Sequence, residues 1–213
     1  MRLARFHFPA PHRALAAIRF ALLVCCAPLL VRATTIVPPD FSTLVNDSDY
    51  IVRAVAKNIT TDQRAESHGG KIVTRVEFDL LEVIAGTPPA SVTLEFVGGR
   101  IGDRQLRIEG MPEFKVGDED ILFVSGNGRS FCPLYAMAHG RYPVQADAAT
   151  GKKFVARADH LPLHATAEIA TPLNESAATT AASSSTAAAL TPADFAQQIR
   201  AAVRPDARLN RAK

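Results

Sequence analysis

Apolar and polar residues alternate with period two over long stretches of this chain, and the alternation predicts strands. The clearest stretch is 71–84, where Ile72, Thr74, Val76, Phe78 and Leu80 share one face and Arg75, Glu77 and Asp79 stand on the other. Strict alternation of this kind marks a strand with one buried and one hydrated face. Residues 49–60 read the same way: Tyr50, Val52, Ala54 and Ala56 form one face, and Ile51, Arg53, Val55, Lys57 and Ile59 a mixed one. The polar stretch 61–70 between them, ending in Gly69 and Gly70, reads as a long hairpin loop. Further strands are expected at 91–97, 105–109, 120–125, 131–138, 141–146 and 152–156, separated by Gly, Pro and Asn turns. Many short strands with such turns define an all-β sandwich or small barrel.

Two helices frame the strands. Asp40 is an N-cap for a turn or two carrying Phe41, Leu44 and Val45. Near the other end, Thr191 caps and Pro192 opens a helix whose stripe is Phe195, Ile199 and Val203. Pro205 follows its end.

Composition changes this picture at both termini. Residues 1–19 carry Arg2, Arg5, Arg13 and Arg19 and no acid, residues 20–31 are an apolar run, and Val31-Arg32-Ala33 follows. Basic start, short apolar middle and small-residue exit are the parts of a secretory signal. Twelve apolar residues are also too few to span a bilayer, which takes roughly 20. The expected organisation is a signal peptide at 1–33, a β-barrel domain at 34–161, an Ala/Thr/Ser linker at 162–189, a C-terminal helix at 190–204 and a basic disordered tail at 205–213. Secretion or periplasmic residence after cleavage near Ala33 follows, with no transmembrane segment in the mature form. Cys25 and Cys26 raise a lipid anchor as the alternative, although Val24 and Cys25 before them are not the usual context for lipidation.

Removing the signal changes the charge. Residues 1–33 hold five arginines and no acid, so the remainder has 19 basic and 21 acidic residues, a net of −2. A nucleic-acid partner, which needs a basic face for phosphates, loses its support. The remainder also keeps a single cysteine, Cys132, so the core must hold without an internal disulfide.

Residues 48–56 (Ser-Asp-Tyr-Ile-Val-Arg-Ala-Val-Ala), the exit Leu81-Glu82-Val83-Ile84-Ala85-Gly86, the loop Gly98-Gly99-Arg100-Ile101-Gly102, and the segments 110–114 and 117–123 together resemble a group of secreted bacterial proteins of unknown function. More distantly, the first two strands and the Val-Ile-Ala-Gly exit resemble netrin-like modules, among them the tissue inhibitors of metalloproteinases. That resemblance implies an OB-like β-barrel, here with a short N-terminal helix and a tethered C-terminal helix. Those inhibitors ligate the protease zinc through a cysteine at the mature N-terminus. This chain has none near Thr34, so the fold carries over and the inhibitory mechanism does not.

Catalytic signatures are weak. His160 and His164 are four apart, but Pro162 lies between them and no HExxH frame occurs, so no metal site and no cofactor are expected. No GxSxG elbow is present. Cys132 and His139 could form a nucleophile and base, though Pro133 and the strand context fit that poorly. The Gly98–Gly102 loop lacks the following helix and Lys-Ser/Thr of a phosphate cradle. The function expected is a non-enzymatic binding module with an unknown protein or envelope component as partner. Gly98, Gly99, Arg100, Gly102 and Arg104 form its candidate surface. The alternative is a protease-inhibitor-like module or a weak enzyme with its site near Cys132 and His139. N-terminal sequencing and intact mass of the native protein should give a start at Thr34 without lipid; a diacylated Cys25 or Cys26 would replace secretion with a membrane tether.

Overall fold

A computed structural model describes residues 37–65, 70–173 and 186–207; the expected signal peptide, residues 174–185 of the expected linker and the last residues of the tail lie outside them. Helix α1 (Phe41–Asn46) opens on Asp40, whose carboxylate accepts from the Thr43 amide at 2.7 Å. Strands β1 (Tyr50–Gln63) and β2 (Ile72–Gly86) form a long antiparallel hairpin. Strands β3 (Val92–Val97), β4 (Gly99–Ile101), β5 (Arg104–Leu106), β6 (Glu119–Val124), β7 (Arg141–Ala146) and β8 (Lys153–Val155) follow, and α2 (Pro192–Ala202) closes the order. One antiparallel sheet runs β3-β2-β1-β6-β7-β8, and β4-β5 form a separate ribbon. The fold is mostly β, as the alternation predicts, and its strands close no barrel among the described residues.

The sheet is buried on both faces where β1 and β6 pair. Ile121, Leu122, Phe123 and Val124 are all fully buried, as are Ile51 and Val52. One face gathers Val52, Ala54, Val76, Phe78, Leu94, Phe96, Leu122 and Val124. The other packs Ile51, Ile121, Phe123 and Val155 against both helices. Register shifts at Ile51/Val52, Arg53/Ala54 and Ala56/Asn58 bend the hairpin, because an extra residue in one strand kinks and twists the pair.

Helix α2 docks on this second face. Phe195 is fully buried, with its ring 5.1 Å from Tyr142 and 6.1 Å from Phe41. The side chain of Asn46, at the end of α1, donates to the Ala202 carbonyl at 3.1 Å and accepts from the Arg204 amide at 2.8 Å. A buried side-chain amide thereby satisfies the open end of a helix distant in sequence. Within the stretch expected as linker, Leu163 and Ile169 are buried in the same cluster, and the Leu190 amide donates to the Leu163 carbonyl at 2.8 Å.

Loops cover both ends of the sheet. Along β3, the Asn127 side chain accepts from the Glu95 amide at 3.2 Å and donates to the Thr93 carbonyl at 2.8 Å, while the Val97 amide donates to Phe131. Along β8, the Val155 amide donates to Leu190 and its carbonyl accepts from Leu163. The strand expected at 131–138 does not form. Pro133 offers no amide hydrogen, and Ala136 and Met137 adopt left-handed φ of 49° and 57°, so only Leu134 bridges to Val124 before a 3-10 turn at Met137–Gly140.

A buried ion pair ties the far half together. The Asp120 side chain on β6 is fully enclosed, and Arg141, the first residue of β7, meets it with two donors at 2.8 and 3.2 Å. The same guanidinium donates to Asp118 at 2.9 Å and to the Glu113 carbonyl, and lies 4.2 Å over the Phe114 ring. Removing one partner of a buried pair strands the other charge, at a cost of about 3–5 kcal/mol. Arg141→Met should therefore destabilise by about that amount in urea unfolding, and Arg141→Met with Asp120→Leu should recover most of it. A double variant as unstable as the single one would refute this account of the pair.

Candidate functional site

A groove of about 760 Å³ opens on the first face of the sheet. Its floor comes from the apolar phase of β2 and β3, chiefly Val76 and Phe96, with Ile59 of β1 beside them. Its outer wall is a strap, residues 98–114, that leaves β3, turns through the β4-β5 ribbon and crosses back over the sheet. Phe114 plugs one end, its ring 5.5 Å from Phe78 and 5.3 Å from Phe96.

Both ends of the strap are anchored. At the first, the Gly98 amide donates to the Ile72 carbonyl at 2.8 Å and the Thr74 hydroxyl donates to the Gly98 carbonyl at 2.8 Å. Gly98 and Gly99 take φ of 122° and 129°, a region that only glycine enters without strain. At the second, Arg141 holds the Glu113 carbonyl and covers Phe114.

The structure divides the residues expected to form the surface. Gly98 and Gly99 line the groove, while Arg100, Gly102 and Arg104 stand on the exposed ribbon beyond it. Arg100 turns back to the Gly102 carbonyl at 3.1 Å, and Arg104 donates to the Gln63 side chain at 3.0 Å. The floor residues are those that alternation assigns to the core; of the strap residues, Leu106 and Ile108 fall in the stretch expected as a strand at 105–109, where the strand ends at Leu106, and Met111 follows in the turn after it.

The other chemically interesting groups lie elsewhere. Cys132 is buried with Leu134, Leu122 and Val124, and burial pushes its thiol up to about 11, so it is a thiol at neutral pH. His139 is buried in the 3-10 turn; burial, then the Arg157 charge, hold its imidazole below the usual range, with Asp159 opposing. Arg157 lies 3.7 Å from Asp159 and donates to the Thr171 and Pro172 carbonyls, which pins the segment after β8. His160 pairs with Gln145 at 2.9 Å, and His164 lies 3.7 Å from Glu168. No group of three or more metal-ligating side chains gathers among the described residues. Tyr50 is buried with its hydroxyl unpartnered among them, and burial, with Asp49 adding to it, pushes the phenol up to about 12. It does not line the groove. No described helix is long and apolar enough to cross a membrane.

Compared with protein families, curated proteins and solved structures, the chain matches none of them.

A β-carbon on Gly99 would fall 2.4 Å from the Thr74 hydroxyl and 2.7 Å from a Thr61 methyl, whereas one on Gly102 meets nothing within 4 Å. Both residues have positive φ, so both alanine variants carry backbone strain, of the order of 1 kcal/mol. Gly99→Ala should add a steric cost of about 1–3 kcal/mol to that, and thermal unfolding should separate the two variants by several degrees. Equal melting temperatures would mean that the strap's first anchor is loose.

Proposed function

We propose that this chain is a non-enzymatic binding module, secreted or held in a bacterial envelope, and that its partner engages the groove between the sheet and the strap. The observation that carries the reading is the groove itself. Its volume falls in the range of functional sites, its floor is apolar, and its wall is anchored at each end by a distinct set of hydrogen bonds. Beneath the strap Val76 and Phe96 are themselves buried, and the apolar surface left half-exposed along the groove belongs to Ile59, Leu106, Ile108, Met111 and Phe114. Net charge beyond residue 33 is close to zero, in keeping with a protein or envelope component as partner in place of nucleic acid.

An OB-like module is the fold that accompanies this proposal. Its support is the pairing of β1 with both β2 and β6, together with the 126–131 loop occupying the edge of β3 where a barrel strand would close. Address rests on the basic, apolar and small-residue order of 1–33.

Titrating the isotope-labelled protein with 1-anilinonaphthalene-8-sulfonate, an apolar probe, tests the site. Amide shifts should cluster at Val76, Phe96, Leu106 and Phe114. Shifts confined to His139 and Arg157–Asp159, or a hydrolytic activity abolished by a point substitution there, would sink the proposal in favour of an enzyme.

A further inference from the structure

The ribbon β4-β5 turns through Gly102 and Asp103, with Ile101 paired to Arg104, Arg100 to Gln105 and Gly99 to Leu106. In a two-residue hairpin the residues flanking the turn exchange hydrogen bonds, and the next pair along does not. The amide and carbonyl of Gln105 therefore point away from β4, to the outer edge of the ribbon. Arg107, two residues on, lies in the same phase. Its backbone has no hydrogen-bond partner among the described residues. Both residues line the groove.

This open edge lies in the groove, whereas the outer side of β2 beyond Phe78, which also has no strand partner, does not line it. The free side of β3 is covered by Asn127 and Phe131, and that of β8 by Leu163 and Leu190. An unpaired edge is a template for another strand, and here it runs beside an apolar floor. Resting on the reading of the groove as the binding site, we propose that its ligand is an extended segment of a partner polypeptide. The segment pairs through its backbone with Gln105 and Arg107 and lays alternate side chains on the half-buried apolar lining, Ile59, Met111 and Phe114. Strand addition of this type takes affinity from main-chain hydrogen bonds and selectivity from pockets under every second residue. Residues 100–113 carry three arginines and three carboxylates, so sign of charge selects nothing here and the backbone does. A single-stranded nucleic acid, which needs a positive track, fits this rim poorly.

The probe is the acetylated, amidated heptapeptide Ser-Val-Thr-Val-Thr-Val-Lys, with an analogue N-methylated at every internal residue. On the isotope-labelled protein, the parent peptide should shift Gln105, Arg107 and Phe96 amides and slow exchange at Gln105 and Arg107, and the methylated analogue should do neither. Arg107→Ala keeps the backbone donor and should bind within about threefold of the native protein. Arg107→Pro removes one donor outside the β4 ladder and should weaken binding about tenfold. Equal binding by the methylated analogue, or by Arg107→Pro, overturns the proposal. So does protection of Gln105 and Arg107 that rises with protein concentration alone, which would mean a second copy fills the edge. If the peptide leaves the strap unshifted while the naphthalene probe still shifts Phe96 and Phe114, strand addition fails and the groove stands; if neither probe shifts them, both fail.

Discussion

The Asp120 carboxylate is fully enclosed inside a sheet with apolar layers on both sides, and the far half of the structure is organised by what answers it. A charge buried alone costs far more than a fold of this size has to spare. Arg141 answers with a two-pronged contact, which a lysine could not match in geometry. Its remaining donors then fall on Asp118 and the Glu113 carbonyl, and its flat face covers Phe114. One side chain thus joins β6 to β7 and ties the end of the strap to both. Burial pushes the Asp120 carboxyl up while Arg141 pulls it back, so the pair gives specificity of arrangement at the expense of desolvation. This tie shares in shaping the groove, because the Phe114 ring that plugs it is held between the guanidinium and the rings of Phe78 and Phe96.

Much of the framework was legible in the alternation. The phase of 71–84 places Val76 and Phe78 in the core and Glu77 and Asp79 in water, as found. The capping residues Asp40 and Thr191 both work as their positions imply, each accepting from an amide three residues on. Period and caps are local properties, carried by residues within one or two turns of each other. The strand expected at 131–138 failed for a reason that is also local but invisible in letter patterns: alanine and methionine occupy left-handed backbone there, where glycine or asparagine would have signalled it.

The site was less legible, because what defines it is not local. Asp120 and Arg141 are 21 residues apart, and in Gly117-Asp118-Glu119-Asp120 the carboxylates look alike; only the pairing of β6 with β1 and β7 sends Asp120 inward and leaves Asp118 half-exposed. Asn127 looks like a turn residue in Gly-Asn-Gly, and it is one, but it also stands in for a strand along β3. Gly98 and Gly99 could be singled out because glycine pairs at a strand exit imply special φ. The arginines beside them, Arg100 and Arg104, share the same sequence context and belong to an exposed ribbon, since letters alone do not say which side of a hairpin faces a cavity.

Where chain is spent on covering edges shows what the fold guards against. Asn127 with its flanking glycines and Asp49, whose carboxylate accepts from the Gly126 amide at 2.7 Å, all serve to close β3. The segment after β8 and the approach to α2 do the same at the opposite side, with Arg157 pinning the turn between them. Sheets that cover their edges resist pairing with other chains. A short ribbon left uncovered in such a fold, beside an apolar floor and held at both ends, differs from an oversight in the packing. On the proposed reading strand pairing there is limited to two or three residues, so the gain is small enough to be reversible and the apolar lining of the groove decides which strands are accepted.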